Sequence, residues 1–336
     1  MAARHGSLTN DRRGAHRTRV SGTREHGSLT NRRRGATLVA MQYRQLGKDG
    51  PEVSIIGFGA WPIGGGMGTV EQERAERTVR SALDEGITLI DTAQAYRDSE
   101  RFLGAALEGV RRDSYVLATK ASFDFSPVGI REAIETSLRE LRTDYIDVYQ
   151  LHAFREPVEP SIETLVRLRE EGKTRFLGVS NYTFEQLEST GIPDGLVSNQ
   201  VEYNLFARAI EDDLIPHEAL AGVSIMAHSP LDKGTLTGKY DESTVFPDDD
   251  ERKQMPRFQG DEFRRRLAAA RRLQAIAAEL GMSLVQLAVA WTLRYDDVAT
   301  TLVGAKSPEQ VREHAGVDPG RLTGDVLERV EEALAG

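Results

Sequence analysis

Residues 89–107 read LIDTAQAYRDSERFLGAAL. The segment opens inside an apolar run, Thr88–Asp91, that reads as a strand and ends on a carboxylate. A polar loop carrying Tyr96 follows. From Ser99 to Gly109 the apolar residues recur at helical spacing. A buried strand leading through a short loop into an amphipathic helix is the repeating unit of α/β folds.

The same unit recurs in both directions along the chain. The strand candidates are Val53–Phe58, Thr88–Asp91, Tyr115–Lys120, Ile146–His152, Phe176–Ser180, Val197–Val201, Ser224–Ala227 and Thr300–Val303. Most are nearly continuous apolar runs, as expected of parallel strands buried on both faces. Helical patterns lie between them at Val70–Glu85, Ser99–Gly109, Pro127–Leu141, Ser161–Glu171, Thr183–Ser189, Ala209–Leu220, Asp261–Leu280, Ser283–Arg294 and Pro308–Ala315. In Pro127–Leu141 the apolar Ile130, Ile134 and Leu138 share a face, while Glu132, Glu135 and Arg139 fall on the solvated one. Eight strands each followed by helix predict a closed (β/α)8 TIM barrel, with a doubly wound open sheet as the alternative. From Val53 to Gly316 the 264 residues match the ~250 typical of that barrel. The seventh unit departs from the pattern. A stretch rich in Gly, Asp and Pro, residues 228–260, separates its strand from the next helix, and loops of that length usually cover a binding site.

Composition sets outer limits. Apolar content of 39% and charged content of 28% exclude bulk disorder. No apolar run approaches the ~20 residues of a membrane span. The chain has no cysteine, which removes disulfides and thiolate chemistry and fits a cytoplasmic setting. Residues 1–40 stand apart from the predicted barrel at 41–336. They hold nine Arg against Asp11 and Glu25, a charge of +7, which leaves −16 on the rest of a chain of net −9. An acidic body gives no electrostatic reason to expect nucleic acid as a partner. Within the tail HGSLTNDRRGA (5–15) returns as HGSLTNRRRGA (26–36). So few apolar residues do not offset the entropy of ordering, and the tail is expected to be disordered. A transit peptide, a basic arm for an anionic partner, and an extension foreign to the natural protein are the three readings. The last is preferred, because MQYRQLG from Met41 looks like a protein start.

Familiar signatures fail on inspection. Gly57-Phe-Gly59-Ala-Trp61-Pro62 begins like a dinucleotide fingerprint but has Pro62 where the third Gly belongs. Gly172-Lys173-Thr174 resembles the end of a phosphate loop, yet it runs from helix to strand and lacks the first Gly. There is no GxSxG elbow. His152, His217, His228 and His314 fall in no metal spacing, so no metal is expected.

What remains is a set of polar residues at strand ends, where (β/α)8 enzymes place their chemistry. Asp91 ends the second strand, Lys120 ends YVLATK, His152 ends DVYQLH, Ser180 and Asn181 end GVSN, and Gln200 stands in SNQVEYN. Singly, an Asp there often caps the next helix and a Lys is usually solvated. Together they place an acid, a base and an imidazole at one barrel mouth, beside Tyr96. That set suits carbonyl reduction. Hydride arriving at a carbonyl carbon leaves an oxyanion to be protonated, and a free tyrosine (pKa ~10) is a weak acid for the task. A neighbouring Lys120 ammonium lowers that pKa, Asp91 holds the ammonium, and His152 donates to the carbonyl oxygen.

The motifs VSIIGFGAW, LIDTAQAYRDSERFLGAAL, YVLATK, DVYQLH, TRFLGVSNY, NQVEYN, AHSPLDKGTLTGKY and VGAKSPEQVREH together resemble the aldo-keto reductase family, from about Met41 to the C-terminus. The resemblance implies an NADP(H)-dependent oxidoreductase on a (β/α)8 barrel, with Asp91, Tyr96, Lys120 and His152 as its catalytic four. It also implies that Ser180, Asn181 and Gln200 hold the nicotinamide carboxamide. Ser229, Leu231, Gly234 and Leu236 would cover the pyrophosphate. Gly304, Lys306, Ser307, Gln310 and Glu313 would surround the adenosine phosphate. Trp61 and Phe154 would line the substrate pocket, which predicts a small aldehyde or ketone, apolar in character.

Three positions depart from the family pattern. His228 stands where an aromatic ring usually stacks on the nicotinamide, His314 where Asn contacts adenine, and Arg97 where Gly often follows the tyrosine. The resemblance also carries a rival, since related proteins act as cofactor-binding regulatory subunits of membrane channels with little turnover. A sugar isomerase or lyase on the same barrel would need a metal cluster.

Overall fold

The computed structural model describes residues 40–217, 222–248 and 250–336. The expectation for the basic tail lies outside the described residues. The strands are β1 (Tyr43–Gln45), β2 (Glu52–Ser54), β3 (Ile56–Gly59), β4 (Leu89–Asp91), β5 (Val116–Ala121), β6 (Ile146–Leu151), β7 (Thr174–Ser180), β8 (Leu196–Glu202), β9 (Ser224–His228) and β10 (Val298–Gly304). β3 to β10 pair in parallel, each with the next, and β10 pairs with β3 to close the barrel. The closed barrel is the predicted architecture, and the open sheet is excluded.

Outside the strands lie α1 (Gln72–Asp84), α2 (Ser99–Ala106), α3 (Pro127–Leu141), α4 (Glu159–Glu170), α5 (Phe184–Ser189), α6 (Ile210–Asp213), α7 (Gly260–Glu279), α8 (Leu284–Thr292), α9 (Pro308–Ala315) and α10 (Gly324–Ala335). Their ends follow local chemistry. Ser126 caps α3 by accepting from the Gly129 amide at 3.1 Å, with Pro127 preset for the first turn. Thr183 with Gln186, and Ser283 with Gln286, form reciprocal capping boxes on α5 and α8. Ser307 and Pro308 start α9 in the manner of α3. In α3, Ile130 and Ile134 are fully buried while Glu132, Glu135 and Arg139 face solvent, as the periodicity requires.

Three elements differ from the sequence reading. The run Val53–Phe58 is two strands, not one. Its first half, β2, pairs antiparallel with β1, and only β3 enters the barrel. At the break the Ser54 hydroxyl donates to the Ile56 carbonyl (2.6 Å) and the Ser54 amide donates to Thr88 Oγ1 (3.0 Å). The β1–β2 hairpin plugs the N-terminal end of the barrel, where Leu46 and Val53 pack against Leu89, Val116, Val148, Val197 and Met226. The expected helix Ala209–Leu220 shortens to α6, because Pro216 disfavours helical backbone in the residue before it; residues 218–221 lie outside the described residues. Helix α10, with Val326, Val330 and Ala333 buried against the body, was not foreseen. The long loop was: from β9 the chain runs through short 3-10 turns and reaches α7 only at Gly260.

Candidate active site

The C-terminal ends of the barrel strands open onto one cleft of about 570 Å3. Gly59, Asp91, Ser180, Gln200, His228 and Gly304 line it from strand ends, and His152 follows directly on β6. Tyr96 enters from the loop after β4. A β-carbon added to Gly64 would overlap the Tyr96 carbonyl, so the bare glycine lets the β3–α1 loop seat the tyrosine. Tyr96 lies between Trp61 and His152, edge-on to both, with ring centroids 4.9 and 5.6 Å away.

Beneath the tyrosine sits a closed ion pair. Lys120 is fully buried, and its Nζ donates to both Asp91 oxygens (2.9 and 2.7 Å) and to the Thr92 carbonyl (2.7 Å). The three N–H donors of the ammonium are thereby satisfied. Asp91 Oδ1 also accepts from Gln200 Nε2 (2.8 Å) and Gln150 Nε2 (3.2 Å). The Lys120 charge stands 5.0 Å from the Tyr96 ring centroid. Burial pushes the lysine down, but Asp91 beside it, with Tyr96, carries it above the ordinary lysine value. A buried charge pair of this sort persists only with such complete hydrogen bonding.

Tyr96 departs from the simplest sequence expectation. Burial raises its hydroxyl, Lys120 pulls it back down, Asp91 adds to the rise, and the net direction is upward. The lysine therefore moderates a raised phenol rather than producing a lowered one. Tyr96 is fully protonated near neutral pH, which is the form a proton donor needs. His152 is shifted the other way. Burial, then the Lys120 charge and His228, take it down to about 3. Its Nδ1 faces the Ser122 hydroxyl at 2.7 Å.

The predicted carboxamide residues are together but already engaged. Asn181, in left-handed backbone (φ 61°), donates from Nδ2 to the His152 carbonyl and to Ser180 Oγ (3.2 and 3.0 Å). Its Oδ1 lies 3.1 Å from His228 Nε2. The Ser180 hydroxyl donates to the Gln200 carbonyl (2.9 Å). His228 lines the cleft as a neutral ring: burial, then Lys120, hold it at about 3. His314, buried at the far end, is lowered by burial to about 4.

At that far end the cleft is lined by Gly304, Lys306, Gln310, Glu313 and His314. Lys306 Nζ donates to the Met67 carbonyl, strapping the β10–α9 loop to the β3–α1 loop, and its amide donates to Gln310 Oε1 (2.7 Å). Two cations that sequence reasoning missed line the same region, Lys239 and Arg252. Burial, then Arg252, lowers the Lys306 pKa. The lid supplies Ser229, Leu231, Lys233 and Gly234. Its turn holds three successive left-handed residues, Asp232, Lys233 and Gly234, and is anchored by the fully buried Asp232 on Arg266 (3.0 Å). Glu251 accepts from Trp61 Nε1 (3.0 Å) and pairs with Lys233 (2.6 Å), joining lid to rim.

Of the predicted residues, Lys120 lies buried beneath the cleft in its pair with Asp91, and three others do not line the cleft either. Phe154 packs edge-on against Tyr182 (5.1 Å), Leu236 is buried in the core, and Ser307 accepts from the Gln310 amide of its own helix (3.5 Å). Each of these three is an apolar or capping residue whose spacing from the motif says nothing of its direction. An elongated cleft with rings and hydrogen-bonding groups at one end and three cations at the other fits a nicotinamide dinucleotide, whose anionic phosphates lie away from the ring that reacts.

Comparison with known proteins agrees. Residues 55–335 match the model of the Aldo/keto reductase family. The chain is 38% identical over 287 residues to Aldo-keto reductase YhdN of Bacillus subtilis, covering 81% of this chain and 87% of that protein. It is 30% identical over 298 residues to the NADH-specific methylglyoxal reductase of Escherichia coli, covering 80% and 91%. The glycerol dehydrogenase AKR11B4 of Gluconobacter oxydans superposes with a TM-score of 0.79 at 35% identity, over 89% of this chain and 96% of that one. The fold and site define a barrel oxidoreductase that works with a nicotinamide cofactor. The chain belongs to the aldo/keto reductase family.

Proposed function

We propose that the protein reduces an aldehyde or ketone to an alcohol, with Tyr96 as proton donor and NADPH as the preferred cofactor. The observation that carries this reading is the buried Asp91–Lys120 pair set 5.0 Å beneath the Tyr96 ring at the mouth of the barrel. When bound, the reduced nicotinamide supplies the hydride. The chain's own residues handle charge and protons. His152, neutral and lining the cleft, orients the carbonyl oxygen by hydrogen bonding. As that oxygen becomes an alkoxide, Tyr96 gives up its hydroxyl proton. The resulting phenolate lies against a fixed ammonium, so the transfer is favoured where charge develops. Asp91 keeps the ammonium in place and charged.

Ser180, Asn181 and Gln200 would hold the carboxamide, and the lid from Ser229 to Gly234 would cover the pyrophosphate. The preference for NADPH rests on Lys306, Lys239 and Arg252 at the adenosine end. The NADH-specific relative makes these residues, rather than family membership, the basis of the assignment. The substrate end offers Trp61, Tyr96, His152 and Lys233, which suits a small carbonyl compound. Consumption of NADPH and of NADH should be followed by absorbance with a panel of aldehydes and ketones, methylglyoxal included. Turnover with a roughly 10- to 100-fold advantage for NADPH is expected, the value of one or two charge-assisted hydrogen bonds. Lys306→Ala should raise KM for NADPH and leave that for NADH nearly unchanged. Tight NADPH binding with no turnover on any carbonyl would instead mark a regulatory subunit. An equal loss with both cofactors would remove the NADPH assignment.

A further inference from the structure

We infer that Ser122 is a positioning residue that sets the tautomer of His152, donating its hydroxyl proton to Nδ1 so that the N–H of Nε2 is left for the substrate oxygen. The inference rests on the reading of His152 as the group that orients the carbonyl.

A neutral imidazole has one N–H and one lone pair, and only the N–H form of the cleft-facing nitrogen is able to donate to a carbonyl. His152 is neutral at working pH, since burial and Lys120 hold it at about 3. Which nitrogen carries the proton is then decided by the partner of the other. That partner is Ser122 Oγ, 2.7 Å from Nδ1. The hydroxyl has one proton to give, and its surroundings restrict where it goes. The Ala95 amide donates to the same oxygen (3.3 Å), so one lone pair is already used by an obligate donor. The competing acceptor is the Lys120 carbonyl at 3.3 Å, beyond the ordinary 2.5–3.0 Å of an O–H···O bond. That carbonyl already accepts from the Gln94 amide (3.2 Å) and needs no second donor. The proton therefore goes to Nδ1, and Nε2, on the opposite edge of the ring, keeps its own.

The backbone around Ser122 is fixed to the same end. Its amide donates to Gln94 Oε1 (3.2 Å), and the His152 amide donates to the Ala121 carbonyl (3.0 Å). The hydroxyl thus joins three parts of the site: the end of β5 that carries Lys120, the loop that carries Tyr96, and the imidazole after β6. Serine two residues past Lys120 in the sequence carries no recognisable motif, and only the fold brings it to the ring.

The test is 15N NMR of histidine-labelled protein, with His152→Gln to assign the signal, alongside steady-state kinetics. In the wild type the proton should sit on Nε2, with Nδ1 showing the signature of an accepted hydrogen bond. Ser122→Asp places a carboxylate acceptor at Nδ1 and should move the proton there, with a loss in kcat of about 100-fold, the scale of deleting one donor to an oxyanion. Ser122→Ala should lose the hydrogen-bonded Nδ1 signature and roughly 10-fold in kcat, with unchanged NADPH affinity, and Ser122→Thr should restore both. A wild-type spectrum with the proton on Nδ1 overturns the inference, whether or not any variant folds. So do spectra of Ser122→Asp and Ser122→Ala that match wild type. If the tautomer behaves as described but no carbonyl compound is reduced, the inference about Ser122 stands and the proposed activity falls.

Discussion

Asp91→Asn removes a charge while leaving shape nearly intact. In the wild type, among the described residues, Asp91 Oδ2 accepts only from Lys120 (2.7 Å), while Oδ1 accepts from Lys120, Gln150 and Gln200. In the variant an amide NH2 must occupy one of these places and face either the ammonium or the glutamine donors. The fully buried Lys120 is left without a counter-charge. Breaking a buried pair by removing one partner costs about 3–5 kcal/mol. For a domain of this size that lowers Tm by roughly 5–10 °C. Asp91 is what holds the lysine above its ordinary value against burial, so without it Lys120 titrates at lower pH. Turnover should therefore fall away with rising pH earlier than in the wild type. Asp91→Asn with Lys120→Met removes the stranded charge, and should recover much of the lost Tm while remaining inactive. The assays are thermal denaturation and a kcat profile against pH. A Tm within about 2 °C of wild type with an unshifted profile would refute the argument that this pair is the charged support of the site.

Other expectations follow from the same shifts. His152 lies at about 3 in the folded protein, so kcat/KM for reduction should be flat from pH 5 to 8, and an inflection near 6.5 would mean that a protonating imidazole controls the step. His152, His228 and His314, at about 3, 3 and 4, are all below the ~6.5 of the unfolded chain. The unfolded state then binds more protons as pH falls, so stability is full above pH 6.5 and is lost below it. Each histidine should account for about 1.4 kcal/mol one pH unit below that point. Thermal melts between pH 7 and 5 check this, and His314→Asn should flatten part of the slope.

The barrel was legible because buried parallel strands are continuous apolar runs, and eight of them alternate with helical spacing. The break inside Val53–Phe58 was not, because β2 and β3 are both apolar and only pairing separates them. Helix α10 is not called for by a barrel count, although Val326, Val330 and Ala333 carry helical spacing. In the site, Asp91, Tyr96, Lys120 and His152 were visible as ionisable or aromatic groups at or just beyond strand ends, and the structure gathers them. Lys239, Glu251 and Arg252 were not, because they stand in a loop whose path the sequence does not specify. The sign of the Tyr96 shift was also beyond reach: the lysine's charge is readable, but the burial that outweighs it is a property of the packed site.

The central claim is that Tyr96 supplies the proton. Single-turnover reduction with NADPH should be compared in wild type and Tyr96→Phe by stopped flow, with NADPH affinity measured on both by fluorescence. Phenylalanine keeps the ring that packs between Trp61 and His152 and removes only the hydroxyl. The expected result is an unchanged affinity for NADPH with a rate at least ~100-fold lower, the usual contribution of a general acid. A single-turnover rate for Tyr96→Phe within a few fold of wild type would contradict the claim.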